Sequence, residues 1–179
     1  DGRSRVVLMD ADIVYEPCVL VDLLAAPDAH SKVLVSTAHD DGGEEVLVFA
    51  HPDRPEVPRR QGKGLVGAAE LAGWACLGEA TGITLWEPSD HATLAERTDW
   101  AIRHSAAGRR SEHEDVTQEM MLRDRVRTVR FGAERAFLEV DTVEDYRSLV
   151  EEITPRLLAL ENYDAIEKTV QVQYDVAMG

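Results

Sequence analysis

The chain has 179 residues, with 19 Lys and Arg against 34 Asp and Glu, a formal net charge of -15 and a pI near 4.7. Hydrophobic residues at 44% and charged residues at 30% are the composition of one globular domain, not of a disordered chain. The acidic balance excludes a sequence-independent grip on nucleic acid or on an anionic membrane surface, and no apolar stretch nears the roughly 20 residues that span a bilayer.

The opening Asp1-Gly2-Arg3-Ser4 lacks a Met and carries no signal-peptide pattern, so an earlier part of the protein is expected to precede it. Arg5 to Met9 is an apolar run of the kind buried on both faces, as in parallel α/β sheets. It leads into Asp10-Ala11-Asp12-Ile13-Val14-Tyr15. Pro17 then opens a helix whose Val19, Leu20, Leu23 and Leu24 share a face. Lys32–Ser36 and Glu45–Phe49 read as strands on either side of an Asp40-to-Gly43 turn.

Prolines 52, 55 and 58 among charges make residues 51–60 a surface loop, closed by Gly62-Lys63-Gly64. Ala75–Trp86 is a strand interrupted by glycines. A helix capped by Ser89 runs towards Gly108, and Val116–Leu122 is a further helix behind the acidic cluster at Glu112–Asp115. Val126–Phe131 alternates as a half-buried strand, and Ala136–Val140 is the last strand. Thr142 to Asp145 resembles a capping box, with Tyr146, Leu149, Val150 and Ile153 as the inner stripe of the helix it starts. Beyond Pro155 a helical stretch around Leu157–Leu160 precedes strand-like alternation at 169–174. A domain over 1–154 and an extension over 155–179 follow, and the unpaired alternation leaves a homodimer open.

Four places could carry chemistry. Asp10 and Asp12 stand two apart at a strand end, where residues i and i+2 point the same way and where α/β sheets bind ligands. Two such carboxylates repel each other unless a divalent cation joins them, although acids that simply end a strand and face water are an equal reading. Glu139 and Asp141 repeat the spacing, with Asp141 either a metal ligand or the N-cap of the next helix. Lys63 between two glycines is either a phosphate-binding point charge or a solvated loop lysine, and the spacing is not that of a P-loop. Gly78-Glu79-Ala80-Thr81-Gly82 marks a bulge or a close backbone approach. His113 reads as a surface residue, or as the rim of a charged site. Cys18 and Cys76 read as core residues with neither a disulfide framework nor metal-knuckle spacing, which implies a reducing, cytoplasmic setting. Trp74, Trp86 and Trp100 also read as core rather than as a cation-binding cage.

In order along residues 5–150, five segments resemble the nucleotidyltransferases of the MobA-like superfamily, nearest to phosphocholine and phosphonate cytidylyltransferases: Val7–Glu16, Gly62–Gly64, Gly78–Ile83, His113–Glu119 and Phe137–Tyr146. The resemblance covers the C-terminal two-thirds of that family. It implies an α/β, Rossmann-like mixed sheet, mainly parallel, with flanking helices and without the family's N-terminal strands. It implies Mg²⁺ held by Asp12 and Asp141, Lys63 as the catalytic lysine, and Asp10, Glu79, Glu114 and Asp115 on the substrate side. The partners implied are a nucleoside triphosphate and a small phosphorylated or phosphonate acceptor, with CMP transferred from CTP and pyrophosphate released. The family's Gly-rich nucleotide loop has no counterpart in this sequence. A non-catalytic binding module of the same fold and a sugar-1-phosphate nucleotidyltransferase are therefore the alternatives.

Overall fold

The computed structural model describes residues 4–26, 29–39, 45–110 and 112–159. The turn expected over 40–43 and the alternation over 169–174 lie outside the described residues. The strands are β1 (Val6–Met9), β2 (Ile13–Tyr15), β3 (Ser31–Ser36), β4 (Leu47–Ala50), β5 (Pro58–Gly62), β6 (Ala75–Trp86), β7 (Val126–Phe131) and β8 (Phe137–Glu139). The helices are α1 (Pro17–Ala25), α2 (His91–His104), α3 (His113–Leu122), α4 (Val143–Ser148) and α5 (Thr154–Ala159).

The main sheet runs β5-β4-β6-β3-β7, with β1 also paired to β6. Among the described residues only β3 and β7 pair in parallel; β1, β3 and β4 all meet β6 antiparallel, as β4 meets β5. The sheet is therefore mixed and mostly antiparallel, which corrects the mainly parallel expectation. Continuous apolar runs report burial on both faces, not strand direction. β3 shows this: all six of its residues are buried although one of its neighbours is antiparallel.

β6 organises the molecule. One edge carries β3; the opposite edge carries β4 along Ala75–Glu79 and then β1 along Ile83–Trp86. Between them the two strands part, Ala80 N–H donating to the Val46 carbonyl on one side and the Gly82 carbonyl accepting from Asp10 N–H on the other. Gly78 and Gly82 have positive φ (128° and 70°), so a 12-residue strand with two glycine kinks replaces the interrupted strand of the sequence reading. A Cβ at Gly78 would collide with the backbone of Ser36.

Val33, Val35, Val48, Leu77, Met120 and Met121 pack one core face, and Val19, Leu23, Leu34, Ile83, Leu85 and Phe131 the other. Several expectations fail for identifiable reasons. β1 is not buried on both faces: Val6, Leu8 and Met9 are 48%, 41% and 40% exposed, because β1 pairs with β6 alone among the described residues. β5 begins at Pro58 inside the expected loop; an edge position and a first residue both tolerate the missing N–H. Asp90, not Ser89, stands before α2, and its buried carboxylate accepts from Ser31 Oγ (2.7 Å) and pairs with Arg125 (3.3 Å).

Helical structure continues from α4 through a π-turn at Leu149–Ile153 into α5, passing Pro155. Its expected inner stripe is open, with Tyr146 59% and Val150 51% exposed. Trp86 is core, whereas Trp100 is exposed and stacks on His104. Cys18 is half-buried and Cys76 exposed, so Cys76 is not the core residue expected. No helix among the described residues is long and apolar enough to cross a membrane.

Candidate functional site

The cleft opens where β4 and β1 separate along β6. It has a volume of about 1070 Å³ and draws Asp10, Lys63, Glu79, Glu114, Glu139 and Asp141 into one lining. Lys63 and Arg135 are the Lys and Arg side chains of that lining among the described residues, against a clear excess of carboxylates.

The two-stranded ladder of β2 and β8 brings the ends of the chain's acidic pairs together. Ile13 lies opposite Glu139, and Val140 N–H donates to the Asp12 carbonyl at 2.9 Å. As a result, carboxylate oxygens of Asp12, Glu139 and Asp141 all lie within 4.8 Å of one another, and all three residues are exposed. Asp141 is free of capping duty. Thr142 is the N-cap of α4 and accepts from Asp145 N–H, while Asp145 accepts from Thr142 N–H at 2.8 Å, a full capping box. Those bonds also hold the Asp145 carboxyl below its usual range.

Glu16 fastens this ladder to the rest of the fold. Its backbone N–H donates to the Ala136 carbonyl (2.7 Å), and its buried carboxylate accepts from Arg135 Nη1 (2.9 Å), Ala136 N–H (3.2 Å) and Cys18 Sγ (2.8 Å). Burial alone would raise the Glu16 carboxyl, but Cys18, Ala136 and Arg135 together outweigh it and leave it lowered. The same burial, with Glu16 beside it, pushes the Cys18 thiol up to about 11, so it stays a neutral donor.

Mutual repulsion marks the cleft. Burial pushes Glu79 up to about 7, with Glu139 and Glu45 adding to the rise and His39 opposing it. Glu139 is exposed as a residue, yet partial desolvation of its carboxyl, followed by the charges of Asp141, Asp12 and Asp10, raises it; Lys63 opposes. Carboxylates crowded in this way are relieved by a proton or a cation.

A second group forms where β1 ends. Asp10 is half-buried, and its carboxylate lies 3.1 and 3.2 Å from His113 Nε2, which is 3.2 Å from Glu114 Oε1. His113 and Glu114 are the first two residues of α3. That helix is tied to β5 by Gln61 N–H donating to Gln118 Oε1 (2.7 Å) and by Gln118 Nε2 donating to the Arg59 carbonyl (3.0 Å).

Of the residues singled out from sequence, Asp12 and Asp141 come together, and Asp141, Asp10, Lys63, Glu79 and Glu114 line one cleft whose lining does not include Asp12. Asp115 is exposed and stands outside the lining. Lys63, exposed in the turn between Gly62 and Gly64, faces the cleft, and its charge opposes the rise at Glu139. Sequence reading missed Arg135 and set His113 aside. Neither carries a local pattern, since their roles arise from contacts with Glu16 and Asp10 more than 100 residues away.

No family model and no curated protein matches the chain. Solved structures do. An inositol-1-phosphate CTP transferase from T. maritima superposes with a TM-score of 0.58 at 15% identity, covering 87% of this chain and 57% of that one. A putative glucose-1-phosphate thymidylyltransferase from Bacillus anthracis, in complex with a sucrose, also gives 0.58 at 15% identity, covering 85% and 56%. The chain thus has a nucleotidyltransferase-like fold and spans little more than half the length of these structures.

Proposed function

We propose that the chain is the acceptor-side and metal-binding part of a nucleotidyltransferase that moves a nucleoside monophosphate onto a small phosphate or phosphonate. The observation that carries this reading is the meeting of Asp12 with Glu139 and Asp141, the latter two lining the cleft that Lys63 also lines. The donor set fits Mg²⁺: hard carboxylate oxygens on an open surface, with room for phosphate oxygens to complete the coordination. When bound, Mg²⁺ supplies charge neutralisation on the phosphates and orients them.

In the reaction, an oxygen of the acceptor's phosphate attacks the α-phosphorus of the triphosphate in line. The new P–O bond forms as the bond to the β-phosphate bridging oxygen breaks, and pyrophosphate leaves with that electron pair. The protein's part is placement and charge. Asp12 and Asp141 hold the position of the cation, and Lys63 sets one positive charge against phosphate oxygens. Glu79, half-buried and crowded by Glu45 and Glu139, supports an acceptor that carries an amine, since a cationic end relieves its repulsion. CTP and acceptors of the phosphocholine or aminoethylphosphonate type are the substrates this reading favours.

The test is pyrophosphate release with CTP, UTP, GTP and ATP in turn, each with phosphocholine, 2-aminoethylphosphonate and glucose 1-phosphate, in the presence and absence of Mg²⁺. Release that needs Mg²⁺, CTP and an amine-bearing acceptor supports it. Release with glucose 1-phosphate alone moves the acceptor to a sugar phosphate. Binding of nucleotide without any release assigns a non-catalytic module.

A further inference from the structure

We propose that Asp10, His113 and Glu114 form a second cation site, distinct from the all-oxygen cluster of Asp12, Glu139 and Asp141 and selective for a divalent transition metal. The three side chains converge from two elements remote in sequence, the end of β1 and the start of α3, and their ligand atoms lie within 4.8 Å of one another. Metal–ligand bonds of about 2.1 Å place adjacent ligands about 3.0 Å apart in an octahedral site and about 3.4 Å in a tetrahedral one. The distances from His113 Nε2 to Asp10 Oδ1 and Glu114 Oε1, 3.1 and 3.2 Å, fall in that interval.

The competing description is an imidazole that simply bonds to two carboxylates, and it leaves the group unsatisfied. One Nε2–H faces three oxygens: both of Asp10 and one of Glu114. The remaining oxygen, Glu114 Oε2, is fully buried and accepts no hydrogen bond. A buried carboxylate oxygen without a donor is costly, and a cation bound by the Glu114 carboxylate offsets that cost. His113 Nδ1 is also buried without a partner, but it is so whichever ring nitrogen carries the proton and decides nothing. The site is built rather than incidental. Gln61 Nε2 donates to the Glu114 carbonyl at 2.9 Å, and Gly82 leaves the space that the Asp10 carboxylate fills.

One imidazole nitrogen with two carboxylate oxygens suits Mn²⁺, Co²⁺ or Zn²⁺ better than Mg²⁺, which prefers oxygen throughout. The two clusters thus divide by chemistry, although Asp10 and Asp12 are separated by a single residue. Binding at this site does not depend on the transfer reaction proposed above.

Mn²⁺ is the probe, read by pulsed electron paramagnetic resonance on the whole chain, with circular dichroism to verify folding of each variant. Two Mn²⁺ ions are expected in the wild type, one of them showing ¹⁴N coupling. The Asp12→Asn/Asp141→Asn variant keeps one ion, with the nitrogen coupling intact. His113→Gln loses the coupling and weakens that site by at least about tenfold, and Glu114→Gln weakens it while the coupling persists at high Mn²⁺. A single ion with oxygen ligands only, unaffected by His113→Gln, overturns the proposal. So does nitrogen coupling that survives His113→Gln. Loss of all Mn²⁺ in the Asp12→Asn/Asp141→Asn variant, with the fold retained, overturns it as well and shows one shared ion instead.

Discussion

Gly82 and Asp10 occupy one another's space: a Cβ built on Gly82 would fall on the Asp10 carboxylate, and Asp10 N–H donates to the Gly82 carbonyl at 3.3 Å. The glycine therefore does two jobs, adopting φ of 70° and clearing a place for a carboxylate at the mouth of the cleft.

Gly82→Ala should accordingly cost about 1–2 kcal/mol from the left-handed backbone and turn Asp10 away from His113. Gly78→Ala should cost more, because its Cβ meets the rigid backbone of Ser36 and not the end of a side chain. Urea unfolding of the two variants checks the order; equal losses would show that the backbone of β3 yields as easily as a carboxylate does.

Glu79 makes stability depend on pH. Its folded pKa, about 7, lies above the ordinary carboxyl value of 4.5. A raised carboxyl contributes stability that is fully present below the unfolded value and is lost as pH rises through the folded one. The protein should therefore lose stability between pH 5 and pH 8, and Glu79→Gln should flatten that slope and raise the melting temperature at pH 8. At pH 5 the variant and the wild type should differ little. An unchanged slope in the variant would locate the repulsion elsewhere, with Glu139 the next carboxyl to replace.

Glu16 has the opposite sign. Its carboxyl is lowered in the fold, so its contribution is present above the unfolded value of 4.5 and is lost as pH falls through the folded one. Glu16→Gln should destabilise by roughly 2 kcal/mol at pH 7, less than the 3–5 kcal/mol typical of a fully buried pair because Arg135 is partly exposed. The gap between variant and wild type should narrow as pH falls below the unfolded value of 4.5. Denaturant titrations at pH 7 and pH 3.5 measure it, and a gap independent of pH would mean that Glu16 acts by packing alone.

The elements were more legible than the sheet they form. Periodicity located α1, β3 and β7, and the capping box at Thr142 and Asp145 was readable because its bonds span three residues. Strand direction was not readable: the buried run of β3 has the same composition beside an antiparallel neighbour as beside a parallel one. The i, i+2 spacings of Asp10 with Asp12 and of Glu139 with Asp141 point to carboxylates at strand ends, and the short β2–β8 ladder that brings Asp12 to Asp141 has no sequence signal beyond six residues. His113 illustrates the remainder. Its neighbours in sequence are acids on a helix start, which suits solvent and the helix dipole equally, and only the fold brings it to Asp10.

Thr142 links the cap to the acidic cluster. By taking the N-cap position it leaves the Asp141 carboxylate outside the helix and close to those of Asp12 and Glu139. Thr142→Ala should cost about 1 kcal/mol, the usual loss for a cap, whereas Thr142→Asp keeps a capping oxygen and adds a charge beside the cluster. The alanine variant should weaken Mg²⁺ binding through loss of order at Asp141, and the aspartate variant should preserve it. Mg²⁺ at a hundred times its dissociation constant stabilises a folded chain by about 2.7 kcal/mol, so the comparison can be read as a rise in melting temperature. In Asp12→Asn and Asp141→Asn that rise should vanish. A rise of the same size in both asparagine variants would show that the ion sits elsewhere in the cleft and that Thr142 positions nothing beyond its own helix.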